Sequence, residues 1–233
     1  MFDFYQENYI LPYYYTTYPY NNIYDQFQNN SVTNQELKFQ LSILVPIYEW
    51  DKLSINVAYT SKMYWQFYST LPWIRSTDYN PEAFLLYKID NNFNSSIGIL
   101  HESNGFGNQF ERSWNRIYGK TNYHYSDFSF EIMAWFIPIK NNEAVEYPND
   151  KIENYLGYEK ISASYKIGDF NSKISFQNIE HFDKIQFVAS ESYSFTTNYA
   201  LYFQYFYGYG QSLIEYNHFT QAFGIGILFL DDR

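Results

Sequence analysis

The stretch Leu37-Lys38-Phe39-Gln40-Leu41-Ser42-Ile43-Leu44-Val45 has a period of two over most of its length. Leu37, Phe39, Leu41, Ile43 and Val45 fall on one face, and Lys38, Gln40 and Ser42 on the other. That is the spacing of a β-strand, whose successive side chains point to opposite sides. The next segment repeats it at greater length. Leu53, Ile55, Val57 and Tyr59 alternate with Ser54, Asn56, Ala58 and Thr60, and the pattern runs on through Met63, Trp65 and Phe67.

Outward from this pair, similar segments recur along the chain. They cover Ala83–Ile89, Ser96–Ser103, Asn115–His124, Phe128–Ile137, Leu156–Ile167, Lys173–Ile179, Gln186–Ser194, Asn198–Gly208, Ser212–Asn217 and Ala222–Leu230. With the first two they make about twelve strands, and an even count suits a closed antiparallel barrel of the outer-membrane type. Closure matters because lipid tolerates no open sheet edge. Aromatics gather towards strand ends, at Tyr64, Trp65, Phe67 and Tyr68 and again at Tyr205, Phe206, Tyr207 and Tyr209. Interfacial girdles belong there. The period by itself also admits a soluble β-sandwich or a lipocalin-like barrel. Asn91-Asn92-Phe93-Asn94 and the segment from Lys140 to Lys151 read as turns or loops. The first 30 residues are rich in Tyr and Asn without a clear period, and read as an arm or cap preceding a single barrel domain that spans residues 1–233.

Composition agrees with an all-β chain. Tyr (28) and Phe (22) dominate, and aromatic and branched side chains suit a pleated surface. Cysteine is absent, which excludes disulfides, thiolate metal sites and a cysteine nucleophile. A net charge of −10 argues against nucleic acid, whose phosphates require a basic patch. There is no phosphate-loop, zinc-protease or dinucleotide fingerprint. No run of 18 apolar residues is present, so no transmembrane helix is expected. Met1-Phe2-Asp3-Phe4-Tyr5 has neither a basic region nor an apolar run, as expected of a chain that is not exported or of a mature form with a start Met.

The segment that could carry chemistry is Ile97-Gly98-Ile99-Leu100-His101-Glu102-Ser103-Asn104-Gly105. In a strand Ile97, Ile99, His101 and Ser103 share a face, so a lipid-facing Ile97 turns His101 and Ser103 to lipid as well. A polar pair there is costly unless used. A hairpin folding at residues 104–112 would bring Asn115 back beside His101. Ser, His and a polar orienter would then supply a nucleophile, a general base and a tautomer-fixing acceptor. On its own, His-x-Ser is common, and both residues could be ordinary polar side chains near a strand end. His124, His181 and His218 have no such companions and read as solvated or interfacial.

His101-Glu102-Ser103-Asn104-Gly105, followed by Arg112-Ser113-Trp114-Asn115-Arg116, resembles the paired signature of the outer membrane phospholipase A family, which has Asp where Glu102 stands. Further matches include Tyr18-Pro19-Tyr20, Lys38 to Ser42, Tyr79 with Pro81, and Gly208-Tyr209-Gly210, so the resemblance spans nearly the whole chain. It implies a twelve-stranded barrel in the bacterial outer membrane that hydrolyses acyl esters of phospholipids and lysophospholipids, needs calcium, and is activated as a homodimer. Carried over, it makes Ser103 the nucleophile, His101 the base, Asn115 the orienter and Gly105 an oxyanion donor. For calcium it implies the Phe106 carbonyl (Arg is usual there), the Glu111 side chain (usually Ser) and the Thr70 carbonyl of a second barrel. Ser61 replaces the Gln often found at the dimer interface. The rival reading is a non-enzymatic barrel, a porin or an adhesin-like surface protein.

Overall fold

The computed structural model describes residues 2–18, 20, 24, 32–107, 110–138 and 151–231. Its sheet contains β1 (Asp3–Phe4), β2 (Asn8–Thr16), β3 (Gln35–Trp50), β4 (Leu53–Gln66), β5 (Trp73–Lys88), β6 (Phe93–Ser103) and β7 (Ser113–Tyr125). It continues through β8 (Phe128–Phe136), β9 (Glu159–Ile167), β10 (Phe170–Gln177), β11 (Gln186–Ser194), β12 (Tyr199–Gly208) and β13 (Thr220–Phe229). Each strand from β3 to β13 pairs antiparallel with the next, and β2 joins β13 to β3. The two-residue β1 only extends the edge of β3 beside Leu44 and Ile43, so a closed barrel of twelve strands remains.

The seam between β2 and β13 differs from the sequence reading. Asn8–Thr16 is not an arm preceding the barrel but one of its staves, while residues 21–23 and 25–31 of that segment fall outside the described residues. The period is hidden here for two reasons. Tyr9, Leu11 and Tyr14 all turn inward, so apolar residues occupy both faces, and a bulge between Leu11 and Tyr14 shifts the parity. A matching irregularity in β13 lies at Gly226, where a Cβ would come within 2.0 Å of the Ile10 carbonyl oxygen. Conversely, Ser212–Asn217 is not a strand. Leu213–Glu215 form a short 3-10 turn, and Leu213, Ile214, Glu215 and Tyr216 are all buried in the barrel mouth. One missed stave and one surplus strand cancel, which leaves the count at twelve. The loop assigned to Lys140–Lys151 lies outside the described residues except for Lys151.

The parity of the opening stretch holds. Leu41 and Val45 are exposed, whereas Lys38 and Ser42 are buried on the lumen side. The outer wall is thus apolar and the inner wall polar, as a membrane barrel requires. Of the aromatics assigned to girdles, Tyr64 and Phe206 prove to be lumen residues, at 1% and 4% exposure. Exposed rings do line the strand ends, among them Trp50, Tyr87, Tyr125, Tyr165 and Tyr199 at one end and Phe67, Tyr68 and Phe136 at the other.

Inside, several buried charges are held by hydrogen bonds or ion pairs. Arg75 donates to both carboxylate oxygens of Glu36 at 2.9 and 2.8 Å and to Glu215 at 2.5 Å. Lys38 donates to Gln204 at 2.6 Å. Tyr5 folds inward to donate to Glu82 at 2.9 Å and accepts from Lys120 at 2.7 Å. A charge without a partner would be expensive in this setting. The interior therefore carries cross-braces from one wall to another.

The turns at the β3–β4, β5–β6, β7–β8, β9–β10 and β11–β12 ends are short, whereas the opposite end carries the connections 17–34, 104–112, 137–158 and 209–219. In outer-membrane barrels long loops face the exterior and short turns the periplasm. The 104–112 connection belongs to the long-loop end.

Candidate active site

β6 and β7 run antiparallel with His101 directly opposite Asn115, Glu102 opposite Trp114, and Ser103 opposite Ser113. Because parity alternates, the paired signature divides between two sides of one wall. Ile97 and Ile99 are 59% and 61% exposed, so His101, Ser103 and Asn115 face outward with them. Glu102, Trp114 and Arg116 are buried towards the lumen.

On the outer side, His101 Nδ1 and Asn115 Oδ1 lie 2.9 Å apart. An amide oxygen can only accept, so this contact places the proton on Nδ1 and leaves the lone pair on Nε2. Ser103 stands two residues along the same face, roughly 6.6 Å of strand rise away. Below the pair, Val57, Pro81, Ala83, Ile99, Ile117 and Pro138 line an outward groove of 460 Å³ that His101 and Asn115 border. The groove is apolar and open to the lipid side.

On the inner side, the Glu102 carboxylate accepts from Trp114 Nε1 at 2.9 Å and from Arg116 at 2.6 Å. The Arg116 guanidinium also lies 4.0 Å from the Trp114 ring centroid. Every member of this network is one residue away from a member of the outward cluster. Sequence reasoning assigned these residues no role, although the parity that turns His101 outward already turns Glu102 inward.

The connecting loop hangs on Asn104, which is 3% exposed. Its side-chain oxygen accepts from the backbone N–H groups of Phe106 (3.2 Å) and Arg112 (3.0 Å), and its amide donates to the Phe110 carbonyl at 2.8 Å. Gly105 follows with φ +66°, and the Tyr79 ring covers it so closely that a Cβ would meet Cε2 at 2.6 Å. Tyr79 is also the β5 partner of Ser103. The turn that presents the Gly105 N–H is thus fixed from both sides.

The residues that the resemblance assigns to calcium lie in the loops at one end of the barrel. Glu111 is exposed at the end of the loop, Phe106 is half-buried, and Thr70 is exposed between β4 and β5. Carboxylate and carbonyl oxygens are the hard donors that calcium takes, but it requires six to eight. No group of three or more His, Asp or Glu side chains occurs among the described residues. The donor type fits calcium. Of the other histidines, His124 does have a companion: its Nδ1 lies 2.8 Å from Ser129 Oγ at the short-turn end, where His124 is exposed and Ser129 half-buried.

Comparison with known proteins agrees with this geometry. The phospholipase A1 of Klebsiella pneumoniae is 29% identical over 228 residues, covering 89% of this chain and 74% of its own. The Salmonella typhi outer membrane phospholipase, solved as a dimer with bound calcium, superposes with a TM-score of 0.89 at 26% identity, over 100% of this chain and 94% of that one. An active-site mutant of the Escherichia coli outer membrane phospholipase A, with an asparagine changed to alanine, superposes at 0.88 and 26% identity, over 99% and 92%. The family model for phospholipase A1 matches residues 1–229, and the chain belongs to that family.

Proposed function

We propose that this chain is a calcium-dependent phospholipase of the bacterial outer membrane, hydrolysing acyl esters of phospholipids and lysophospholipids with Ser103, His101 and Asn115. The observation that carries this reading is the His101–Asn115 contact of 2.9 Å on the outer wall, above an apolar groove. A porin has no use for an oriented imidazole facing lipid, and the cross-braced lumen argues against the porin alternative.

In this reading an acyl chain lies along the groove with its ester carbonyl at Ser103. His101 Nε2 takes the Ser103 hydroxyl proton as Oγ attacks, and Asn115 holds the imidazole by its Nδ1–H. The Gly105 N–H would donate to the oxygen that becomes negative. His101 then returns the proton to the departing glycerol oxygen, and a water activated by the same base cleaves the acyl-enzyme. The asparagine-to-alanine active-site mutant known for the Escherichia coli relative is in keeping with an amide orienter. Phe106 and Glu111 would hold calcium with Thr70 of a second barrel, and calcium supplies fixed positive charge beside the developing oxyanion. The calcium-bound dimer of the Salmonella typhi relative supports both the ion and the pairing.

The test is fatty-acid release from mixed micelles, with and without calcium, for the wild type and Ser103→Ala. Release is expected from the wild type with calcium only. Equal release by Ser103→Ala would remove the triad, and release that survives a chelator would remove the metal.

A further inference from the structure

A second pocket, of 480 Å³, opens among the loops at the barrel mouth, on the inner side of the wall that carries Ser103. Arg112 enters it from the β6–β7 loop, Lys151 from the β8–β9 loop and Lys184 from the β10–β11 loop. Tyr155 and Tyr216 form aromatic walls, and Asn154 and Asn217 add amides. Among the described residues its lining includes no Asp or Glu.

The pocket is built rather than incidental. Asn178 is completely buried with φ +61°, and its amide donates to the backbone carbonyls of Asn154 (3.1 Å), Tyr155 (3.1 Å) and Lys184 (3.3 Å). One strained residue therefore ties together the two loops that carry both lysines. Lys151 is itself held at φ +59°. Left-handed backbone at non-glycine positions gathers at ligand clamps. Tyr155 packs edge-on against Tyr216 at 5.8 Å, which joins the β12–β13 loop to the same body. Lys184 Nζ lies 4.8 Å from the Tyr155 ring centroid.

We propose that this pocket binds a phosphate-bearing polar group. Cations converging from three loops suit the spread negative charge of a phosphate. The tyrosine faces and asparagine amides suit a polar carrier such as a sugar or glycerol. That chemistry is shared by a lipid head group at the membrane surface and by a free phosphate ester. Neither the Ser103 cluster nor the Phe106–Glu111 donors contribute to the pocket.

Two arms distinguish these sources. In the first, the full chain in zwitterionic detergent is titrated calorimetrically with glucosamine 1-phosphate. In the second, retention of ether-linked phosphatidylglycerol, which has no ester to cleave, is compared with that of ether-linked phosphatidylcholine by native mass spectrometry. Saturable binding in the first arm supports a free ester. Preferential retention of the anionic lipid in the second supports a head group. In either case Lys151→Gln with Lys184→Gln is expected to weaken binding at least about tenfold. Binding that the double variant leaves unchanged, or the absence of binding in both arms, overturns the proposal.

Discussion

Glu102 and Arg116 meet at 2.6 Å on the lumen side of the same two strands that hold His101 and Asn115 2.9 Å apart on the lipid side. The ion pair thus sets the register of the outward pair from behind. Glu102→Gln leaves Arg116 without its counter-charge in a nearly closed setting. Loss of one partner of a buried pair costs about 3 kcal/mol or more. Urea unfolding of the refolded barrel should show that loss, together with a fall in turnover. Undiminished stability and activity would mean that backbone pairing alone fixes the register.

Asn115→Ala should lower kcat roughly 10- to 100-fold while leaving KM nearly unchanged. A neutral amide fixes the imidazole tautomer but adds no charge, so its loss should cost less than the roughly 10⁴-fold drop seen when a charged orienter is replaced. Steady-state kinetics on a monomeric short-chain ester would measure both constants.

Glu111→Ala should raise the calcium concentration needed for half-maximal activity severalfold and preserve turnover at saturating calcium. A carboxylate is a strong oxygen ligand, and the carbonyls left behind hold the ion less tightly. An unchanged calcium requirement would remove Glu111 from the metal site.

Gly105→Ala combines a left-handed φ of +66° with a clash against the Tyr79 ring. The backbone strain alone is on the order of 1–3 kcal/mol, so activity should fall by roughly 5- to 150-fold where that strain is felt at the oxyanion donor. Adding Tyr79→Ala should relieve the clash but not the dihedral, and so restore activity only in part. Full recovery would show that crowding, not backbone conformation, governs the turn.

Much of this was legible in the sequence wherever one face was apolar and the other polar. Leu41 and Val45 turned outward, and Ile97 and Ile99 did so with His101, because a strand cannot break its period of two without a bulge. Prediction failed where that contrast disappears. Tyr9 and Tyr14 put aromatic rings into the lumen, and the Leu11–Tyr14 bulge then moved the following residues to the other face. The start of β5 escaped for a similar reason. Arg75, Ser76, Thr77 and Asp78 are buried in succession beside a bulge at Tyr64/Trp65, so no alternation remains to be read. The roles of Glu102, Arg116 and Asn104 are long-range hydrogen bonds, which periodicity does not encode. The resemblance, not the spacing, supplied calcium.

The seam where β2 meets β13 also dictates an order of assembly. Tyr9 pairs with Leu228 and Thr16 with Ala222, so the first stave must wait for the last to be made. Closing a loop on the order of 200 residues costs about 5 kcal/mol of chain entropy before any seam contact forms. Such distant pairings are slow to find. Until they form, β2 and β13 are two free edges of a curled sheet, able to recruit a neighbouring chain instead of each other. Barrel closure is then the committing event of folding, and dilution or a chaperone that shields those edges should raise the yield of closed barrels.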